Sequence, residues 1–453
     1  MKTVRLNQET IASLLDDLLK RSPNSYGKYE NAVAEIISNV RSKKDEALFA
    51  YTEKFDHAKI TDKTVQVTQQ EIDEAYERVE PALLEVIQKA LVNIRSYHEK
   101  QKRQSWFCSD EKGTMLGQKI LPLQRVGVYV PGGKAVYPSS VLMNVLPAKV
   151  AGVEKIIMTT PPGKDGSLNP STLVAAKEAG VDTIYKVGGA QAIAALAYGT
   201  QSIPKVDKIV GPGNIFVALA KKAVYGQVGI DSIAGPSEIL VLADDTANPR
   251  YVAADLLSQA EHDELASAIL ITTSEKLARQ VKEQISEFLK VLSRREIIEK
   301  SLDHFGYILL ADTMEEAIEA ANAIASEHME ILTENPFEVM TKIRNAGAIF
   351  IGESSCEPLG DYFAGPNHVL PTNGTAKFFS PLGVDDFVKK SSVIYYSREA
   401  LHEIHRDIIQ FANCEQPVSY THLFFPPVFS FIISLSGDAF LPERAQPSFW
   451  PDN

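Results

Sequence analysis

Apolar residues recur at helical spacing through the first hundred positions. Stretches 11–20, 32–55 and 70–102 each predict a helix with one apolar and one charged face. From Val126 the texture changes to short β-rich runs ending in glycine, each followed by a helical stretch. VGVYV leads to Gly132-Gly133 and a helix over 139–153. KIIMTT leads to Pro161-Pro162 and a helix through Ala175. TIYKV leads to Gly188-Gly189, and KIV to Gly211-Pro212-Gly213, each with its own helix. A second set starts at Glu238, with strands EILVLAD, AILITT, YILLAD, EILT and AGAIFIG and helices over 249–261, 274–292 and 313–326. Thr313 and Glu316 make a capping box for the last of these.

Strands alternating with helices imply parallel sheets joined by right-handed crossovers. The fold class expected is α/β: two Rossmann-like α/β domains with parallel-rich sheets, an N-terminal helical arm and a small C-terminal helical segment. The boundaries expected are an arm at 1–24, a discontinuous first α/β domain at 25–128 and 238–380, a second at 129–237, and a helical segment at 381–416. The default site is the cleft between the two α/β domains. Residues 417–453 crowd phenylalanine with proline, carry little charge and keep no period; this stretch looks foreign to the fold and is expected to be poorly ordered.

Composition narrows the function classes. A formal charge of −12 disfavours nucleic acid and anionic membranes, both of which call for a basic patch. No run of about 18 apolar residues is present to span a bilayer, and MKTVRLNQETIASLLDDLLKRS has no apolar signal core. A cytoplasmic location is expected. Cys108, Cys356 and Cys414 have no paired spacing and are expected to be free, buried thiols.

The polar positions with chemical potential fall in three places. Glu327 and His328 are neighbours where the helical pattern of 313–326 meets an apolar strand. On a helix they would point about 100° apart, so that one acts on a substrate hydroxyl and the other on water. Histidine suits a general base because its ordinary pKa lies near working pH; a solvated pair at a helix end is the plain alternative. Gln259 and His262 lie three apart on one helix face, and both offer atoms acceptable to zinc. Taken alone, each reads as a solvated or capping residue rather than a ligand. Asp361 sits in the loop GDYFAGPNH and, alone, reads as a turn residue. The glycine turns suit close approach of a dinucleotide, yet GPGNIF lacks the third glycine of the usual fingerprint. Cys356 has no activating neighbour and reads as structural.

In order, RVGVYVPGGKAVYPSSVLMNVLPAKVAGV, VGGAQAIAALAYGT, KIVGPGN, IDSIAGPSEILVLAD, LLSQAEHD, SEHMEI and GDYFAGPNHVLPT closely resemble the histidinol dehydrogenase family, over about residues 1–416. The resemblance implies oxidation of L-histidinol to L-histidine, the last step of histidine biosynthesis, using two NAD⁺ in succession and a zinc that orients substrate. It implies Gln259, His262 and Asp361 as zinc ligands, which with His328 also contact substrate. It gives Tyr129, Gln191 and Asn214 as NAD contacts, which makes 129–237 the NAD side, and Ser237 as a substrate contact. His328 then takes the alcohol proton, and Glu327 activates water on the bound aldehyde.

The family also resembles an intertwined homodimer whose C-terminal segment completes the partner's site. Glu415 matches the family's acidic substrate contact there. Tyr420 stands where the fourth zinc ligand, a histidine, belongs, and His422 falls two residues too late. A chain with this ending is expected to bind zinc weakly and turn over slowly. Two other readings stay open: a zinc-dependent dehydrogenase of another amino alcohol, and a non-catalytic α/β ligand-binding protein.

Overall fold

The computed structural model describes residues 1–21, 27–132 and 137–414. They fall into two units, residues 1–102 with 121–389, and residues 103–120 with 390–414.

The first unit is built on two all-parallel sheets. One has six strands, in the order Lys2–Arg5, Gly306–Leu310, Ser267–Thr272, Glu238–Ala243, His328–Leu332 and Ala348–Ile351. Its middle strands, EILVLA and SAILIT, are buried at every position, as a parallel sheet covered on both faces requires. Alternation assigns the faces. Ile239 and Val241 meet Val252, Leu256 and Val281 of the helices Pro249–Ala260 and Glu275–Phe288. Leu240 and Leu242 meet Leu14 and Leu18 of Gln8–Leu19 and Ile318 and Ile324 of Met314–Ile324.

The other sheet has five strands, in the order Thr183–Tyr185, Lys155–Thr159, Arg125–Tyr129, Lys208–Val210 and Gly229–Ile230. The helices Gly27–Lys43, Gly189–Tyr198 and Ile215–Val224 cover one face, and Pro81–Glu99, Pro138–Ala151 and Pro170–Ala179 the other.

Several expectations are revised. The first residues are not wholly helical, because Lys2–Arg5 adds an edge strand to the six-stranded sheet. The helix expected over 32–55 is two, Gly27–Lys43 and Asp45–Asp56, broken where Lys44 takes φ 56°. The one over 70–102 is also two, Gln69–Arg78 and Pro81–Glu99, with Pro81 starting the second because its missing N–H is no loss there. These N-terminal helices pack on the helices of the five-stranded layer, although the sequence grouped 25–128 with 238–380. The box at Thr313 is half formed. Its side chain accepts from the Glu316 N–H, but Glu316 accepts from Asp312 N–H.

The second unit carries the pair Trp106–Ser109 and Met115–Pro122, antiparallel, in a three-stranded sheet with Val388–Tyr395, and the helix Arg398–Cys414. Only that helix was anticipated. All three cysteines are free but exposed, contrary to the buried thiols expected. Among the described residues no helix is long and apolar enough to cross a membrane. The expectations for Glu415, Tyr420, His422 and the stretch 417–453 lie outside the described residues.

Candidate active site

The helix Met314–Ile324 ends on Ala325 in the left-handed conformation (φ 55°), which turns the chain into the strand His328–Leu332. Glu327 therefore stands at a strand entry and His328 is the first strand residue. Their divergence comes from strand alternation, not from the 100° step of a helix. Both are buried, and Nδ1 of His328 lies 3.7 Å from Oε2 of Glu327. A Cβ on Gly347 would lie 2.4 Å from the Glu327 carbonyl oxygen, so only glycine lets the next strand approach this corner.

One neighbouring residue fixes both groups. The N–H of Glu238 donates to Oε2 of Glu327 at 2.9 Å, and its carbonyl accepts from Nδ1 of His328 at 3.0 Å. A carbonyl only accepts, so Nδ1 carries a proton whatever the charge of the ring, and Nε2 is the atom that gains or loses one. Nε2 is buried without a hydrogen-bond partner among the described residues and lies 3.8 Å from Oδ1 of Asp361. Glu238 is itself anchored by a buried ion pair with Arg21, which also donates to the Leu265 carbonyl at 2.9 Å. Arg21→Ala would leave that carboxylate buried and unpaired, at a cost of about 3–5 kcal/mol. Denaturant unfolding is expected to show this loss, with turnover falling as the Glu238 clamp loosens.

His328, Glu357 and Asp361 bring one ligand-type atom each within 4.8 Å of one another. Glu357 and Asp361 lie four apart on the helix Glu357–Tyr362, hence on one face. That spacing is the signal by which Glu357, not foreseen, was legible. A Cβ on Gly360 would come within 2.6 Å of the Phe350 ring, so this helix sits tight on the strand Ala348–Ile351.

The crowding shifts protonation. Burial lifts Glu327 to about 7. Burial and the nearby Asp361 lift Glu357 to about 8. Burial works against the His328 cation, but Glu327 and Asp361 outweigh it and raise His328 to about 9. Burial also pushes Asp361 upward, but the neighbouring His328, 3.8 Å away, and the charge of His368 hold it below the usual carboxylate range. Burial also raises Glu330, whose Oε1 accepts from the Glu357 N–H at 3.2 Å, and the nearby Asp255.

Of the expected ligands, Asp361 belongs to this tight group of histidine and acidic side chains and His262 does not. Gln259 is buried near the end of the helix Pro249–Ala260, beside Ser258, whose hydroxyl donates to the Asp255 carbonyl at 2.8 Å. Both its amide atoms lack partners among the described residues. His262 follows just past that helix, within the field of Asp361; desolvation lowers its pKa and Asp361 opposes the shift. Ser237 immediately precedes Glu238, and its carbonyl accepts from Ser267 N–H. His368 donates through Nδ1 to the Asp361 carbonyl, 3.0 Å away, and so holds that loop in place.

These groups fit a divalent cation. Orphaned buried acceptors on Gln259 and His328, with a carboxylate pair crowded enough to retain a proton, are all relieved by one positive ion. A nitrogen-and-oxygen donor set is acceptable to zinc.

The five-stranded sheet supplies a second feature, a cavity of about 590 Å³. Tyr129, Gln191 and Asn214, three residues far apart in sequence, all line it. Tyr129 ends a strand, and its hydroxyl accepts from Gly189 N–H (3.1 Å) at the start of the helix carrying Gln191. Asn214 caps the helix Ile215–Val224, with Oδ1 accepting from the N–H of Phe216 and Val217. Gly211 makes the close turn between them. Its φ is +115°, and a Cβ there would lie 2.0 Å from the Tyr129 carbonyl oxygen. Two helix N-termini and glycine turns at the carboxyl ends of parallel strands suit a dinucleotide phosphate. The loop of His368 docks on this layer, with Asn367 donating to the Met143 carbonyl at 2.7 Å.

A family model described as histidinol dehydrogenase matches residues 19–419. The histidinol dehydrogenase of Halalkalibacterium halodurans is 60% identical over 386 residues, 85% of this chain and 91% of the relative. That of Bacillus subtilis strain 168 is 56% identical over 398 residues, 88% of this chain and 93% of the relative. The crystal structure of histidinol dehydrogenase from Elizabethkingia anophelis superposes with a TM-score of 0.89 at 37% identity, covering 96% of this chain and 99% of that one.

Proposed function

Because the chain belongs to the histidinol dehydrogenase family, we propose that it oxidises L-histidinol to L-histidine with two NAD⁺, through bound histidinaldehyde. The observation that carries this reading is the single clamp of Glu238 on Glu327 and His328, beside the group of His328, Glu357 and Asp361. Nε2 of His328 takes the hydroxyl proton as the carbinol hydride leaves for the nicotinamide. Glu327 then takes a proton from water as that water adds to the aldehyde carbon. The hydrate loses a second hydride to a second NAD⁺ and a proton, giving the carboxylate.

Zinc, held by Asp361, Gln259 and His262, would supply positive charge at the substrate oxygen and oppose the carboxylates that keep His328 protonated. Glu357 stands close enough to join that set or steer Asp361. Tyr129, Gln191 and Asn214 position NAD⁺, and Ser237, next to the clamp, contacts substrate. Burial of the pair keeps bulk water from the aldehyde. We further propose a homodimer in which the segment around Glu415 completes the partner's site, with Tyr420 in place of the fourth ligand.

The alternative substrate class is tested directly. Histidinol is expected to be oxidised with far higher kcat/KM than amino alcohols lacking the imidazole. Equal rates for both would instead make this a dehydrogenase of another amino alcohol.

A further inference from the structure

The cavity of about 590 Å³ holds one charged group that the roles above do not use. Asp56 is the last residue of the helix Asp45–Asp56 and lines the cavity between Phe55 and His57 in sequence. Its Oδ2 is buried and has no hydrogen-bond partner among the described residues. Burial lifts the carboxyl to about 6, with His57 pulling the other way, so at neutral pH it is ionised. A buried, partnerless carboxylate oxygen is unfavourable until a donor reaches it. The surrounding wall is apolar, with Phe55, Ile36 and Phe216, and suits a flat heterocycle. A carboxylate beside such a wall matches the hydroxyls of a nucleoside ribose.

We propose that Asp56 sets cofactor choice: its carboxylate accepts from the adenosine 2′-hydroxyl of NAD⁺ and repels the 2′-phosphate of NADP⁺. This rests on the reading of the cavity as the NAD⁺ site. Lys164 also lines the cavity, but it is exposed and its charge is screened by solvent, whereas the Asp56 oxygen is buried. The like-charge contact therefore dominates.

Binding of NAD⁺ and of NADP⁺ to the full chain, measured by calorimetry with L-histidine present, tests the assignment. Asp56→Ala is expected to weaken NAD⁺ about tenfold while NADP⁺ binds as well or better, so the ratio of the two Kd values narrows. Asp56→Asn, which keeps the shape, is expected to narrow the ratio too, and thermal melts confirm that both variants fold. An unchanged ratio, or an equal loss for both cofactors, overturns the proposal; equal loss is what a carboxylate on the other ribose would give. Asn214→Ala tests the cavity as the NAD⁺ site independently of Asp56. It is expected to weaken both cofactors without moving the ratio. If it weakens neither, the cavity is not the NAD⁺ site and the Asp56 assignment falls with it.

Discussion

His328→Asn is expected to oxidise histidinol about 10²–10⁴-fold more slowly, the usual worth of a positioned general base. The substitution spares the structure, because asparagine keeps an N–H for the Glu238 carbonyl that now receives Nδ1–H at 3.0 Å. What disappears is Nε2, the free acceptor beside Asp361. Glu327→Gln should behave differently. Its amide oxygen still accepts from Glu238 N–H, so the corner holds, but the group can no longer take a proton from water. The first oxidation survives and the second stalls. Stopped-flow assays starting from the alcohol and from the aldehyde separate the roles. His328→Asn is expected to spare the aldehyde reaction more than the alcohol reaction, and Glu327→Gln the reverse. Identical profiles for the two variants would refute the division of labour.

The second large effect concerns the metal. Stripping the chain with a chelator is expected to abolish turnover, and zinc to restore it. Asp361→Ala should hold zinc at least about 100-fold more weakly, since it removes a direct donor where even outer partners are worth 10–100-fold. Glu357→Gln should fall between Asp361→Ala and the parent, because it leaves an oxygen donor but removes a charge from the group within 4.8 Å. Zinc content by elemental analysis and the zinc-dependent rise in melting temperature report this independently of activity. Replacing the residues after Glu415 with an ordinary family ending should raise zinc content and rate together. Activity indifferent to chelator and to Asp361→Ala would remove the metal from the account.

Much of this was legible in the chain. Short continuous apolar runs such as EILVLA and SAILIT, each followed by a helical stretch, suit strands of a parallel sheet covered on both faces, so the two α/β layers followed from pattern. The break at Lys44 was not legible, because apolar periodicity continues through it and lysine is not a residue that favours the positive φ of 56° found there. The edge strand Lys2–Arg5 is too short for its pattern to outweigh the helix that follows. Glu327 and His328 were found as a pair but set on the wrong element, since nothing in AIASEH announces that Ala325 turns left-handed. Glu357 was available from its four-residue spacing to Asp361, whereas Glu238 shows its importance only once strand pairing sets it beside His328. Tyr129, Gln191 and Asn214 share no local pattern. Family resemblance named them, and the fold gathers them around one cavity.

The most direct test counts NADH formed per L-histidinol consumed by the full chain with zinc and excess NAD⁺. Two successive oxidations at one closed site predict two NADH per histidinol, with L-histidine as product and no aldehyde captured by an external carbonyl trap. One NADH per histidinol, with aldehyde released to the trap, would contradict it.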